Sequence, residues 1–213
     1  VTLARNSAYF DTPTIFENIQ KEDHLNVAIE KIYANNIQAL NGTFQSLDLK
    51  ELKKAAEVIA SARIIYLFGV GTSGMVADYA SYRFTRIGLL TKSYMDSHLI
   101  SMSTATIQAN DVVIAISQSG STTAIVKALE SVKKCGANII SITSHSRSPV
   151  TKSSSIVLRS SVHETPFESG DMPSLMAQLS VVDALMVAAA LENFDASMNR
   201  IQAATEALKS KKL

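Results

Sequence analysis

The sequence predicts an α/β fold: a five-stranded, doubly wound parallel sheet in three αβα layers, with an N-terminal helical extension. Three observations point to it. From residue 63 onward, short β-branched runs alternate with stretches of helical periodicity. The runs are apolar throughout rather than alternating, the pattern of strands covered on both faces. Two of them end in glycine- and serine-rich turns that open helices, and such sheets bind ligands at the carboxyl ends of their strands.

The elements follow in order. Residues 1–16 have weak periodicity and a Thr12-Pro13-Thr14 break, and read as a loose arm. From Lys21 to about Leu47, Leu25, Ile29, Ile32, Tyr33, Leu40, Phe44 and Leu47 recur at helical spacing. Asp48 caps a second helix that runs to about Ala62, with Glu51 as its capping-box partner. Ile64–Phe68 is the first strand of the sheet, followed by a helix over Ser73–Ile87. Leu89–Met95 is the second strand, with a helix over Asp96–Gln108, and Asp111–Ile116 is the third, with its helix over Ser121–Cys135. Ala137–Thr143 is the fourth, followed by a short Pro149-led turn of helix. Ile156–Leu158 is the fifth, nearer an edge. An apolar helix over Ser174–Leu191 and a polar one over Ala196–Lys209 complete the pattern. Right-handed crossovers make double winding the natural arrangement. The expected division is an arm and helix over 1–47 and a ligand-binding domain over 48–213.

Composition excludes several functions. With 20 basic and 19 acidic residues the net charge is +1, so no bulk field attracts nucleic acid or anionic lipid. The single Cys135 precludes an internal disulfide, and four scattered histidines give no zinc-site spacing. Cys135 reads as an ordinary thiol near a helix end. No charged-then-apolar leader is present, and no uncharged apolar run of membrane-spanning length. The expectation is a cytoplasmic protein with no membrane partner, no metal and no cofactor. The first residue is Val1 rather than Met, which suggests a processed or shortened chain.

The two turns are Gly69-Val70-Gly71-Thr72-Ser73-Gly74 and Ser117-Gln118-Ser119-Gly120-Ser121-Thr122. A helix N-terminus presents free N–H groups and partial positive charge. Glycines such as Gly71 let the backbone approach an anion, and hydroxyls add donors without filling the pocket. Gly69, Gly71 and Gly74 also match the spacing of a dinucleotide fingerprint, with Asp96 near the position of a ribose-binding acid. The second turn decides between the readings. Three hydroxyls in one turn, on Ser117, Ser119 and Thr122, exceed what a dinucleotide site needs and suit a terminal phosphate. A hydride site is also missing, since Tyr79 and Arg83 do not form a Tyr-x-x-x-Lys pair. A Walker loop is excluded, because no Gly-Lys-Ser/Thr follows the glycines.

These strand-turn-helix units resemble the sugar isomerase (SIS) domain over about Asp48 to Leu191. The resemblance implies that Ser73, Ser117, Ser119 and Thr122 contact the phosphate of a phosphosugar, with Gln118 supplying a donor nearby. A finer resemblance is to RpiR-type transcriptional regulators. It is carried by Arg86-Ile87-Gly88, Asp96-Ser97-His98, Glu164-Thr165-Pro166 and Gln178-Leu179-Ser180-Val181-Val182-Asp183-Ala184-Leu185. In that family a DNA-binding helix-turn-helix precedes the SIS domain, and Val1-Thr2-Leu3-Ala4-Arg5 is similar to the tail of its last helix. His98 and Glu164 would then bond sugar hydroxyls, with His163 a weaker candidate. One position departs from the family: a basic residue often follows the serine of the segment Met172-Pro173-Ser174-Leu175, and here it is Leu175. Arg147 or Lys152 is the available compensation.

Two functions use the same pocket. A sensor binds a phosphosugar and alters the DNA affinity of another domain, which needs only differential affinity for two states. An aldose–ketose phosphate isomerase needs a base and an acid, for which Glu164 and His98 are the available pair. Neither lies in a recognisable isomerase segment, so the sensor is favoured and no catalytic residue is assigned. The implied partners are a sugar phosphate effector and, through the preceding domain, DNA. The resemblance also implies a homodimer or homotetramer; the apolar helix Leu175–Leu191 is the natural surface to bury there, and the equal alternative is that it packs as core against the sheet.

Overall fold

Residues 14–16, 19–161 and 172–209 are described by a computed structural model. A short antiparallel pair, β1 (Thr14–Phe16) and β2 (Ile19–Gln20), comes first, where the sequence suggested a loose arm. Helix α1 (Leu25–Ser46) follows. The turn before it is pinned by Asp23, which accepts from the Gln20 N–H at 2.8 Å and from Lys31 at 2.7 Å. The Lys31 bond holds the Asp23 carboxyl below the usual carboxylate range.

Asp48 caps α2 (Leu49–Ala60) by accepting from the N–H groups of Lys50 and Glu51. The reciprocal half of the capping box is not used: the Glu51 carboxylate pairs with Lys54 at 2.6 Å. Beyond α2 the predicted alternation is present. It comprises β3 (Ile65–Phe68), α3 (Thr72–Arg86), β4 (Thr91–Tyr94), α4 (Ser97–Ser103), β5 (Val112–Ile116), α5 (Thr123–Lys134), β6 (Asn138–Thr143), α6 (Pro149–Ser153) and β7 (Ile156–Arg159). A 3-10 turn over Thr104–Thr106 extends α4, and α7 (Met172–Glu192) and α8 (Phe194–Lys209) complete the described chain.

All five sheet strands are parallel, in the order β4-β3-β5-β6-β7. The pleat sends alternate residues to opposite layers. Ile65, Leu67, Ile114, Ile140 and Leu158 pack under α2, α3 and α7, whereas Tyr66, Phe68, Val113, Ala115 and Ile139 pack under α4, α5 and α6. Every residue of the interior strands β3 and β5 is buried, which is why both read as unbroken apolar runs. The edge strands β4 and β7 are partly exposed.

Of the two readings of α7, packing as core describes its inward face: Ala177, Val181, Val182, Leu185 and Ala189 pack within the chain against α1, α2, α3 and the sheet, while Val187 and Leu191 remain exposed. By length and composition α7 could also span a membrane. Besides Glu192 at its end its one charge is Asp183, which is met from α3: the Tyr79 hydroxyl donates at 2.9 Å, and Arg83 Nε lies at 3.1 Å. Burial, and then the Asp183 carboxylate, raise the Tyr79 phenol above its ordinary range.

Candidate functional site

The chain leaves β3 toward one edge of the sheet and leaves β5 toward the other, so the carboxyl ends of these neighbours form the switch point where doubly wound sheets bind ligands. Both predicted turns lie there. Residues 69–71 join β3 to α3, and residues 117–122 join β5 to α5.

The two helix starts differ from their neighbours. Asp96 accepts from the N–H groups of His98 and Leu99 and so caps α4, as Asp48 caps α2. Neither Gly71 at the start of α3 nor Thr122 at the start of α5 has a side-chain cap. Apart from the Gly74 N–H, which donates to the Gly71 carbonyl at 3.0 Å, their first turns have no side-chain acceptor, and the helix dipoles there favour an anion. Asp96, by contrast, is committed to its cap, which removes support for a dinucleotide site.

The first turn is shaped by close approach. A Cβ at Gly69 would lie 2.2 Å from the Ser73 carbonyl oxygen, and Gly71 has φ 62° and ψ −134°, a region kept almost wholly to glycine. The second turn is anchored at its back. The Gln118 carbonyl accepts from the Ser144 N–H at 3.2 Å, the Thr143 hydroxyl at 3.1 Å and the Ser144 hydroxyl at 3.0 Å. His145 Nδ1 lies 3.3 Å from the same oxygen. The Gly120 carbonyl accepts from Val150 N–H at 3.0 Å. With its backbone held on this side, the turn presents its side chains pre-set.

Ser117 is buried with its hydroxyl 3.1 Å from that of Thr122. The exposed Ser119 oxygen accepts from the Ser121 hydroxyl at 3.0 Å, which leaves its own proton to donate. Ser73 and Gln118 are joined by Gln178 of α7. Gln178 Nε2 donates to Gln118 Oε1 at 2.6 Å, and the Ser73 hydroxyl reaches Gln178 Oε1 at 3.5 Å. The other Gln118 atom, Nε2, is buried and has no partner among the described residues. A buried amide without a partner costs about 1–3 kcal/mol, and a bound acceptor oxygen would relieve that cost.

His98 is exposed in the first turn of α4. The strand before it comes close to the first turn, since Met95 Cε would lie 2.9 Å from a Cβ on Gly74. Arg147 and Lys152 are exposed, Arg147 between β6 and α6 on the side of the second turn and Lys152 within α6. Leu175 packs against the core cluster under α7, so no cation takes its place there. Glu164 and His163 lie outside the described residues. Cys135 ends α5, its thiol 3.0 Å from the Val132 carbonyl, and takes no part in the site. A cavity of about 630 Å³ lies elsewhere, beside α1, lined by Ala34, Ile37, Gln38, Gly42, Ser161 and Pro173. Among the described residues its lining has no charged group.

A family model for the SIS domain matches residues 58–188. The chain belongs to the SIS domain family. This SIS domain is 36% identical over 213 residues to an uncharacterised HTH-type transcriptional regulator of Caldanaerobacter subterraneus, spanning all of this chain and 74% of that protein. It is 30% identical to the HTH-type transcriptional regulator RpiR of Escherichia coli, over 78% of this chain and 56% of that one. Among solved structures, the Vibrio vulnificus NanR protein complexed with ManNAc-6P superposes with a TM-score of 0.83 at 27% identity, covering 87% of this chain and 70% of that one. The SIS domain here thus resembles the sugar-isomerase domains of RpiR-family regulators.

Gln178 is the residue that sequence reasoning did not assign to the site. It lies in an apolar helix, 105 residues from Ser73 and 60 from Gln118. A lone amide on the inward face of such a helix was the available signal. Gln178→Met keeps the shape, removes the 2.6 Å bond and strands Gln118 Oε1. Stability should fall by about 2 kcal/mol, and the melting temperature by about 4–8 °C in circular dichroism.

Proposed function

We propose that this chain is the phosphosugar-sensing domain of an RpiR-type transcriptional regulator whose DNA-binding portion lies outside the sequence, and that it works in the cytoplasm as a homodimer or homotetramer. The observation that carries the reading is the pair of uncapped helix starts at one switch point, with Gln118 Nε2 of the second turn buried and without a partner among the described residues. In this reading Ser73, Ser117, Ser119 and Thr122 donate to the phosphate, Gln118 Nε2 adds a donor, and Gly71 gives the backbone access. His98 and Glu164 reach the sugar hydroxyls. Neither turn contains a charged side chain, so recognition rests on N–H groups, hydroxyls and helix dipoles. Similarity to HTH-type regulators supports sensing over turnover, and the ManNAc-6P bound to NanR supports a sugar phosphate as effector.

Sensing needs no bond to break. An effector that binds one conformation better than another shifts the equilibrium by its difference in affinity, and DNA affinity follows by linkage. Phosphorus NMR of hexose, hexosamine and pentose phosphates mixed with the protein tests this. The expected result is broadening or shift of one resonance with no new peak. A new phosphosugar resonance growing with time would make the chain an isomerase, and a panel without change would remove the phosphosugar reading. His98→Ala should leave phosphate binding intact and narrow the affinity differences among sugars, read by calorimetry. Equal losses for every phosphosugar would count against its role.

A further inference from the structure

Gln178 lies on the apolar helix α7 and is buried, at 2% exposure. Its amide meets both turns, but the two links are unequal. Nε2 donates to Gln118 Oε1 at 2.6 Å, a short bond, whereas the Ser73 hydroxyl reaches Gln178 Oε1 only at 3.5 Å, the limit of a hydrogen bond. The firm link fixes Gln118, and the weak one lets Ser73 turn its proton to a ligand. An amide is a donor at one end and an acceptor at the other. With its oxygen taken by Gln178, Gln118 has Nε2 left to offer, and that nitrogen has no partner among the described residues. The reverse arrangement, Gln118 donating to Gln178, would leave Oε1 as the free end and set an acceptor against an anion.

We propose that Gln178 is the positioning residue that sets this site for fully ionised phosphate: by holding Gln118 Oε1 it makes the second turn a source of donors. The inference rests on the phosphosugar reading and adds to it the charge state that the site selects. A phosphate that keeps a proton is a donor as well as an acceptor, and that proton needs an oxygen to receive it. The hydroxyls of the second turn are poorly placed to do so. The Ser119 oxygen already accepts from the Ser121 hydroxyl at 3.0 Å and from its N–H at 3.3 Å, and the Ser117 and Thr122 hydroxyls share a bond of 3.1 Å. A protonated oxygen would therefore stand against N–H and O–H groups, whereas a monoester dianion carries no proton on its three free oxygens. Burial makes the choice firm. At 2% and 7% exposure, neither Gln178 nor Gln118 exchanges its partner for water at little cost.

The test is calorimetric titration of the wild type and Gln178→Met with sulfate and with inorganic phosphate, at about pH 5 and about pH 8, below the melting transition of each protein. Sulfate carries no proton over this range; phosphate carries two at the lower pH and one at the higher, where that one can take the ester position. The wild type is expected to favour sulfate by at least about tenfold at the lower pH and to bind the two within about threefold at the higher. In Gln178→Met the Gln118 amide is free to turn its oxygen outward, and the preference at the lower pH should shrink to about threefold or less. The charged groups near the turns, His98, His145, Asp96 and Arg147, act on both proteins alike, so the change in preference reads Gln178. If the variant does not fold, NMR of the wild type decides: sulfate should shift the Gln118 side-chain amide protons downfield and leave those of Gln178 in place. A wild type without preference at the lower pH overturns the proposal. So does a folded variant that loses affinity for both anions equally, or a Gln118 resonance that does not move. Binding of neither anion overturns it together with the phosphate site. Turnover of a phosphosugar would count against sensing and not against this preference, so the two failures are distinguishable.

Discussion

Gly69→Ala is expected to lower the melting temperature by about 6–12 °C and to abolish sugar-phosphate binding. The added Cβ would lie 2.2 Å from the Ser73 carbonyl oxygen, 2.5 Å from its carbon and 2.8 Å from the Gly74 nitrogen. These are backbone atoms in the first turn of α3, so no side chain can rotate away to make room. The neighbours offer little slack: Val76, Ala77 and Ala80 of α3 are fully buried. Overpacking of this kind costs about 3 kcal/mol or more, and in a domain of this length each kcal/mol shifts the transition by about 2–4 °C. Relief by moving α3 outward would carry the uncapped N–H groups and Ser73 away from the second turn. Calorimetric melts and ligand titration below the new transition separate the two effects. A melt within about 2 °C of wild type would show that the turn tolerates a side chain there.

How much of this was legible in the sequence depends on where each interaction is encoded. β3 and β5 could be read because burial on both faces removes polar residues from the whole run. The two turns could be read because the backbone conditions of an anion site, close approach and open helix starts, are met by glycine and serine within six residues. β1 and β2 could not, since strands of three and two residues carry no period. β4 was expected from Leu89 and begins at Thr91, because an edge strand with Lys92 and Ser93 sheds its apolar signal. The Gln178 bridge is a contact between distant segments, which no local pattern specifies. The exposure of one face of α1 was hidden for another reason. Periodic apolar residues predict a helix with an apolar face, but the same pattern arises whether that face meets its own chain or another. The inward face of α7 is core, one of the two readings its pattern allowed, while α1 carries a longer run of exposed apolar residues.

Ser119→Val is expected to weaken phosphosugar binding by roughly 10- to 150-fold while leaving the melt nearly unchanged. The Ser119 oxygen already accepts from the Ser121 hydroxyl, at 3.0 Å, and from the Ser121 N–H, at 3.3 Å. Its own proton is thus directed outward, and a hydrogen bond to a charged oxygen is worth about 1.5–3 kcal/mol. Valine matches the shape of the side chain but removes the donor and sets methyl groups against the anion. Stability should hold because Ser119 is exposed and the turn is anchored from behind by Thr143, Ser144 and Val150. A titration with inorganic phosphate makes the result specific. If Ser119 meets the phosphate, the variant loses affinity for inorganic phosphate and for the sugar phosphate by the same factor. Loss confined to the sugar phosphate would move Ser119 to the sugar and require the phosphate to sit deeper, at Ser117 and Ser73. Unchanged affinity for both would remove the second turn from the site, leaving its uncapped helix start and the unpaired Gln118 amide without a ligand to explain them.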